Sequence, residues 1–232
     1  MFLYFLRQIK WNRASNTKWG HLVYYTQWKA SLAEGRNSVK DRSPWITLPA
    51  VDLLKKELRS TDKVFEYGGG GSTLFWVDRV AEVVTVEHDR EWYQRLEEVM
   101  KENHGAQWTG KYVAAEQGDL VPVPDAADPL HYASQDEASR GMNFKAYASE
   151  IDRYPDGHFN VVMVDGRARA SCIHHAVPKL ASGGLLILDN AERAHYLEKN
   201  ASALREFDIV LQGMAPALYN RDFSETRIFR KR

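Results

Sequence analysis

A chain of 232 residues with a single cysteine, Cys172, has no internal disulfide framework and no cysteine-rich zinc site. A reducing, cytoplasmic setting is the expectation that follows. Net charge is also lacking. Lys and Arg number 31 against 31 Asp and Glu, so no global basic field points to nucleic acid or to an anionic membrane. No apolar stretch reaches the length of a membrane span. The apolar start Met1–Leu6 is interrupted at Arg7, too soon for the apolar region of a signal peptide. Internal repeats and low-complexity tracts are absent as well. The length suits one α/β domain with elaborations and a sizeable core.

Glycine is concentrated where it matters. Val64–Ser72 reads Val-Phe-Glu-Tyr-Gly-Gly-Gly-Gly-Ser: a short apolar run, then Gly68, Gly69, Gly70 and Gly71, then Ser72 opening a second apolar run. This is a strand, a tight turn and a helix start. Without Cβ atoms the backbone of such a turn can approach a ligand closely, and the following helix presents unpaired N–H groups. The turn fits a nucleotide-like or carboxylate-bearing cofactor.

The rest of the chain alternates between two periodicities. Strands are expected at Lys63–Tyr67, Val83–Glu87, Tyr112–Ala115, Phe159–Asp165, Leu185–Asp189, Ile209–Leu211 and Thr226–Phe229. Helices are expected over Pro49–Leu58, from about Ser72, and over Arg90–Asn103, Phe144–Tyr154, Ala170–Leu180 and Ala194–Glu206, with Ala181–Gly184 as the stop of the fifth. Pro122, Pro124 and Pro129 exclude a regular element there, so about 120–155 is read as an insertion. Residues 1–45 form an N-terminal helical extension rich in Trp and Tyr, and 46–232 the main domain. Those aromatics are most simply core; a lid over an acceptor pocket or a homo-oligomer contact is the functional alternative.

Strands alternating with helices imply a parallel sheet covered on both faces, with ligands beyond the carboxyl ends of its strands. Glu66, Glu87, Asp119, Asp165 and Asp189 all fall at or just after expected strand ends. A carboxylate at Glu66 is unfavourable beside a pyrophosphate and suits a ligand with an ammonium and a sulfonium. Glu87, roughly 20 residues past the loop, is placed to accept ribose hydroxyls, as in NAD enzymes and S-adenosylmethionine enzymes alike. Asp119 is placed to meet an adenine amino group, and His88 to stack near it.

In order, Glu66-x-Gly68-x-Gly70, Glu87, Asp119, Asp165 and Leu180–Asp189 resemble the motifs of class I S-adenosylmethionine-dependent methyltransferases over roughly Lys63–Asp189. The resemblance implies a Rossmann-like three-layer sandwich: a seven-stranded, mostly parallel sheet with an antiparallel last strand. It places Glu66 and Gly68–Ser72 around the methionine part, Glu87 at the ribose and Asp119 at the adenine. The activity implied is methyl transfer to a small-molecule or sugar acceptor, at oxygen, with Asp165, Asp189 and His195 as catalytic candidates. Asp165 also counts among the cofactor contacts. Asp165, Asp189 and Asn190 further resemble the metal-binding positions of catechol-type O-methyltransferases, implying Mg²⁺ or another divalent cation. The lysine base of those enzymes is replaced here by Ala168. The segment around Asp165–Arg167 and Asp189–Arg193 also resembles uncharacterised bacterial methyltransferase-like proteins. An NAD(P)-dependent oxidoreductase and a catalytically inactive binding module are the other two readings.

Overall fold

The computed structural model describes residues 1–103, 106–118 and 123–232. Its sheet contains β1 (Lys63–Tyr67), β2 (Glu82–Glu87), β3 (Trp108–Tyr112), β4 (Phe159–Val164), β5 (Leu180–Asp189), β6 (Phe207–Leu211) and β7 (Thr226–Lys231). The spatial order is β3-β2-β1-β4-β5-β7-β6. The pairs from β3 through β5 are parallel, with Val64 of β1 opposite Val83 of β2 on one side and Val161 of β4 on the other. Only β7 is reversed, antiparallel to both β5 and β6.

Period-two alternation divides the core between the two faces. Val64, Val83, Val161, Met163, Leu185 and Ile187 share one face with buried residues of α1 (Phe2–Trp11), α2 (Tyr25–Ser31), α3 (Leu48–Glu57), α4 (Gly71–Val77) and α5 (Arg90–Asn103). Phe65, Tyr67, Val84, Val86, Val162 and Val164 face α6 (Lys145–Ser149), α7 (Arg169–Lys179) and α8 (His195–Glu198). Full burial of an aromatic such as Phe65 contributes about 1.5–3 kcal/mol, which makes the central strands the most strongly fixed part of the chain.

The N-terminal segment shares the first of these cores. Phe5, Ile9 and Trp28 are fully buried, and Phe5 stands edge-on to Phe223 at 5.0 Å. Trp28 Nε1 donates to the carbonyl of Asn220 at 2.9 Å. The N-terminal aromatics are not uniformly core, however: Trp11, Trp19 and Trp45 are exposed.

Four boundaries differ from the sequence expectation. The third strand lies at Trp108–Tyr112 and not at Tyr112–Ala115, because Trp108 Nε1 bonds Thr85 of β2 at 3.0 Å and pins the register there. Leu180–Gly184 belongs to β5 and does not merely stop a helix; Phe159 pairs with Leu180 across an irregularity in the ladder. The helix expected over 144–154 breaks into α6 and a 3-10 turn at Glu150–Arg153. The one expected over 194–206 is reduced to α8 and a 3-10 turn at Ala203–Glu206.

Candidate active-site cleft

Adjacent parallel strands end together, so β1, β2 and β4 deliver their following loops to one place. A cavity of about 260 Å³ lies there, lined by Gly68–Ser72, Glu87, His88, Trp92 and Asp165–Arg167, with Arg169 beneath and Ser38 and Trp45 from the N-terminal segment above. Gly68 turns with φ +88°, and a Cβ on it would lie 2.9 Å from the Asp165 carbonyl. Gly71 is required by close approach: a Cβ there would overlap the carbonyls of Ser38 and Ser43. Gly70 is the open member, its Cβ position meeting only Trp92 at 3.8 Å. Three of the glycines therefore serve the packing of the turn itself, since a Cβ on Gly69 would likewise overlap Leu96.

Glu66 does not reach the cavity. Alternation along β1 turns it to the face of Val64, where it is fully buried under the loop. Thr73 Oγ1 at 2.6 Å, Trp76 Nε1 at 3.0 Å and Thr85 Oγ1 at 3.1 Å all donate to its carboxylate. Thr73 Oγ1 also accepts the Gly70 N–H at 3.0 Å, so Glu66 holds the turn from below. Burial pushes its carboxyl up to about 7 despite these donors.

Glu87 does reach it, at the end of β2. Its Oε2 accepts the Gly69 N–H at 3.1 Å, and its Oε1 accepts the N–H groups of His88 and Asp89 at 2.7 and 2.8 Å. The glycine turn and the second strand are thereby tied into one wall. His88 Nδ1 lies 2.8 Å from Glu87 Oε1, and the ring stands edge-on to Phe144 and Tyr147. Trp92, one turn into α5, donates from Nε1 to the Gly69 carbonyl at 2.6 Å.

Across the cleft, Arg169 organises the ends of β4 and β5. It is nearly buried, and it donates to Asp165 Oδ1 at 3.0 Å, to the Gly166 carbonyl at 3.0 Å and to the Asp189 carbonyl. Asp165 keeps 24% of its side chain open to the cleft, whereas Asp189 is buried with Oδ1 accepting from Thr226 at 2.8 Å. Burial raises both carboxyls above the usual range, and the Asp165 charge raises Asp189 further. The Arg169 guanidinium beside Asp165 favours its ionised form over that of Asp189.

The arrangement does not fit a divalent cation. Arg169 already supplies a counter-charge to Asp165, and Asp189 is buried with its Oδ1 bonded to Thr226. Among the described residues no group of three or more His, Cys, Asp or Glu side chains could hold a metal ion. Asn190 has φ +52°, and neither it nor Asp189 lines the cleft. Ala168, which stands where the related metal enzymes have lysine, is buried and left-handed at φ +46°, where it caps α7.

His195 also lies off the cleft, on α8, with its ring 4.2 Å from that of Tyr196; burial lowers its pKa. Of the three catalytic candidates only Asp165 lines the cavity. Asp119 lies outside the described residues. Sequence reasoning did not single out Arg169, Trp92, Ser38 or Trp45 as site residues. The i, i+4 spacing of Asp165 and Arg169 at a helix start was the one available signal. The expected insertion contributes at two levels. Asp136 comes within 3.3 Å of Arg167 at the cleft margin, while Tyr147 packs its hydroxyl against the back of Gly166.

The strand order, the single reversed strand β7 and the ligand-sized cleft over β1 and β2 define the Rossmann-like fold of class I S-adenosylmethionine-dependent methyltransferases. A solved structure from Streptococcus mutans, a candidate methyltransferase in complex with S-adenosylhomocysteine, is similar with a TM-score of 0.52. It has 10% identity to this chain, over 78% of this chain and 94% of that one. A methyltransferase-like protein from Silicibacter pomeroyi matches at 19% identity and a TM-score of 0.48, over 78% of this chain and 84% of that one. A tRNA (m1A58) methyltransferase from Aquifex aeolicus matches at 15% identity and a TM-score of 0.48, over 85% and 77%. No protein-family model matches the chain, and no curated protein does.

Proposed function

We propose that this chain binds S-adenosylmethionine in the cleft and transfers its methyl group to a hydroxyl of a small-molecule acceptor. The observation that carries the reading is the bond between Gly69 N–H and Glu87 Oε2, which makes the glycine turn and the strand-end carboxylate walls of a single cavity. The open face of Gly70 gives a ligand access to the backbone there. Glu87 retains acceptor capacity at Oε2 for ribose hydroxyls. When bound, S-adenosylmethionine supplies a methyl group already activated on a sulfonium.

The chain's own part is then alignment and proton removal. Asp165 faces the cleft beside Arg169 and is more basic than an exposed carboxylate because it is desolvated. It is the group suited to take the acceptor's hydroxyl proton. Arg169 holds it in place and acts as a positioning residue. Ser38 and Trp45 line the cavity from the N-terminal segment.

The test is turnover: formation of S-adenosylhomocysteine from S-adenosylmethionine in the presence of a panel of phenols, hydroxy acids and sugars. Turnover with one acceptor class, lost in Asp165→Asn, is the expected result. Tight cofactor binding with no turnover on any acceptor would favour a binding module instead.

A further inference from the structure

A second cavity, of about 620 Å³, lies between α5 and the segment 36–45. It adjoins the cleft, because Ser38, Trp45 and Trp92 line both. Its size is that of a small-molecule site, and its walls are apolar: Val39, Trp45, Trp92, Leu96, Val99 and Tyr219. Trp45 and Trp92 are 53% and 36% exposed, whereas Trp28 and Trp76 are fully buried, so two large rings are left in water at this one place. The charged lining residues are all cationic: Arg36, Lys40 and Arg95, with no carboxylate among them. In a chain with 31 charges of each sign that is a local excess. Arg36 is paired with Asp41 at 2.9 Å, while Lys40 Nζ donates to the Gly35 carbonyl at 3.2 Å. Lys40 and Arg95 form no ion pair with a carboxylate among the described residues.

We propose that this cavity binds a small amphiphilic acid. Its flat aromatic body would pack between Trp45, Trp92, Leu96 and Val99, and its carboxylate would be held by Arg95 and Lys40. Aromatic walls suit a flat apolar ring, and cations free of carboxylate partners suit an anionic head. Binding here does not depend on what the glycine turn holds. That the occupant would be presented to the methyl-transfer site is a consequence only if the function proposed above is correct.

The experiment is calorimetry on the full chain with naphthoate as probe, naphthylmethanol as its neutral counterpart, and S-adenosylhomocysteine as the separate reporter of the cleft. Naphthoate is expected to bind about tenfold or more tighter than naphthylmethanol. Arg95→Glu, an exposed substitution, should weaken naphthoate at least tenfold and leave S-adenosylhomocysteine unchanged. Val39→Trp, which fills the cavity, should abolish binding of both naphthalenes. Absence of naphthoate binding, equal affinity for the neutral probe, or indifference to both variants would overturn the proposal. Loss of S-adenosylhomocysteine binding with naphthoate binding intact would count against the function proposed above and leave this site standing.

Discussion

Replacing Glu66 by glutamine removes a titration along with a charge. The native carboxyl is fully buried, and burial lifts its pKa from 4.5 to about 7, against the pull of the donors around it. Below pH 4.5 the group is protonated in both the folded and the unfolded chain. Between 4.5 and about 7 the unfolded chain releases the proton while the folded chain keeps it. The unfolded state then binds fewer protons, so stability falls as pH rises through this window and levels off above it. The gap between 4.5 and about 7, at roughly 1.36 kcal/mol per pKa unit, amounts to ~3 kcal/mol. Glutamine has no such titration. It can accept from Trp76 Nε1, but the Thr73 and Thr85 hydroxyls lose the oxygen they donate to, a cost independent of pH that drops out of the slope. Urea unfolding followed by tryptophan fluorescence, repeated from pH 4.5 to 8, reads the difference. The stability of native chain minus variant should fall by ~3 kcal/mol across the window. Asp189 titrates in both proteins; Asp165, which the Glu66 charge raises, is removed from the comparison by repeating it in the Asp165→Asn background. Parallel pH curves for the two proteins would refute the assignment of the proton to Glu66.

Three further substitutions probe the rest of the site. Glu87→Ala should weaken S-adenosylhomocysteine at least tenfold, about 1.4 kcal/mol by calorimetry, because it removes both a ligand acceptor and the anchor of Gly69. Gly71→Ala forces a methyl into the Ser38 and Ser43 carbonyls and should cost about 1–3 kcal/mol, seen as a lower Tm in differential scanning calorimetry. Arg169→Met leaves the partly buried Asp165 without its counter-ion and should cost about 2–4 kcal/mol near neutral pH. That loss should shrink as pH falls and the carboxyls take up protons, which denaturation at two pH values would show.

The sheet was legible because its signals are strong and redundant. Val83–Val86 and Val161–Val164 are β-branched or apolar runs buried on both faces, and a strand followed by four glycines has few other solutions. The third strand was misplaced because its anchor is a tertiary bond, Trp108 to Thr85, with no local signature. The site was legible along the chain but not across it. Glu87 and Asp165 reach the cleft because their strands end beside the glycine turn. Glu66 misses it by the parity of one residue: alternation sends it under the loop, where three donors converge on it. Ser38 and Trp45 come from a segment with no periodic pattern, so their position over Gly71 depends on long-range packing. Arg169 ties the two strand ends together because a guanidinium four residues after Asp165 can reach both.

The central claim is that the cleft above Gly70 and beside Glu87 holds an adenosyl amino acid and not a dinucleotide. Isothermal calorimetry of the full chain against S-adenosylhomocysteine and NAD, with Glu87→Ala as control, tests it directly. One-site binding of S-adenosylhomocysteine, weakened in the variant, with no heat from NAD, is the expected result. Binding of NAD without S-adenosylhomocysteine would contradict it.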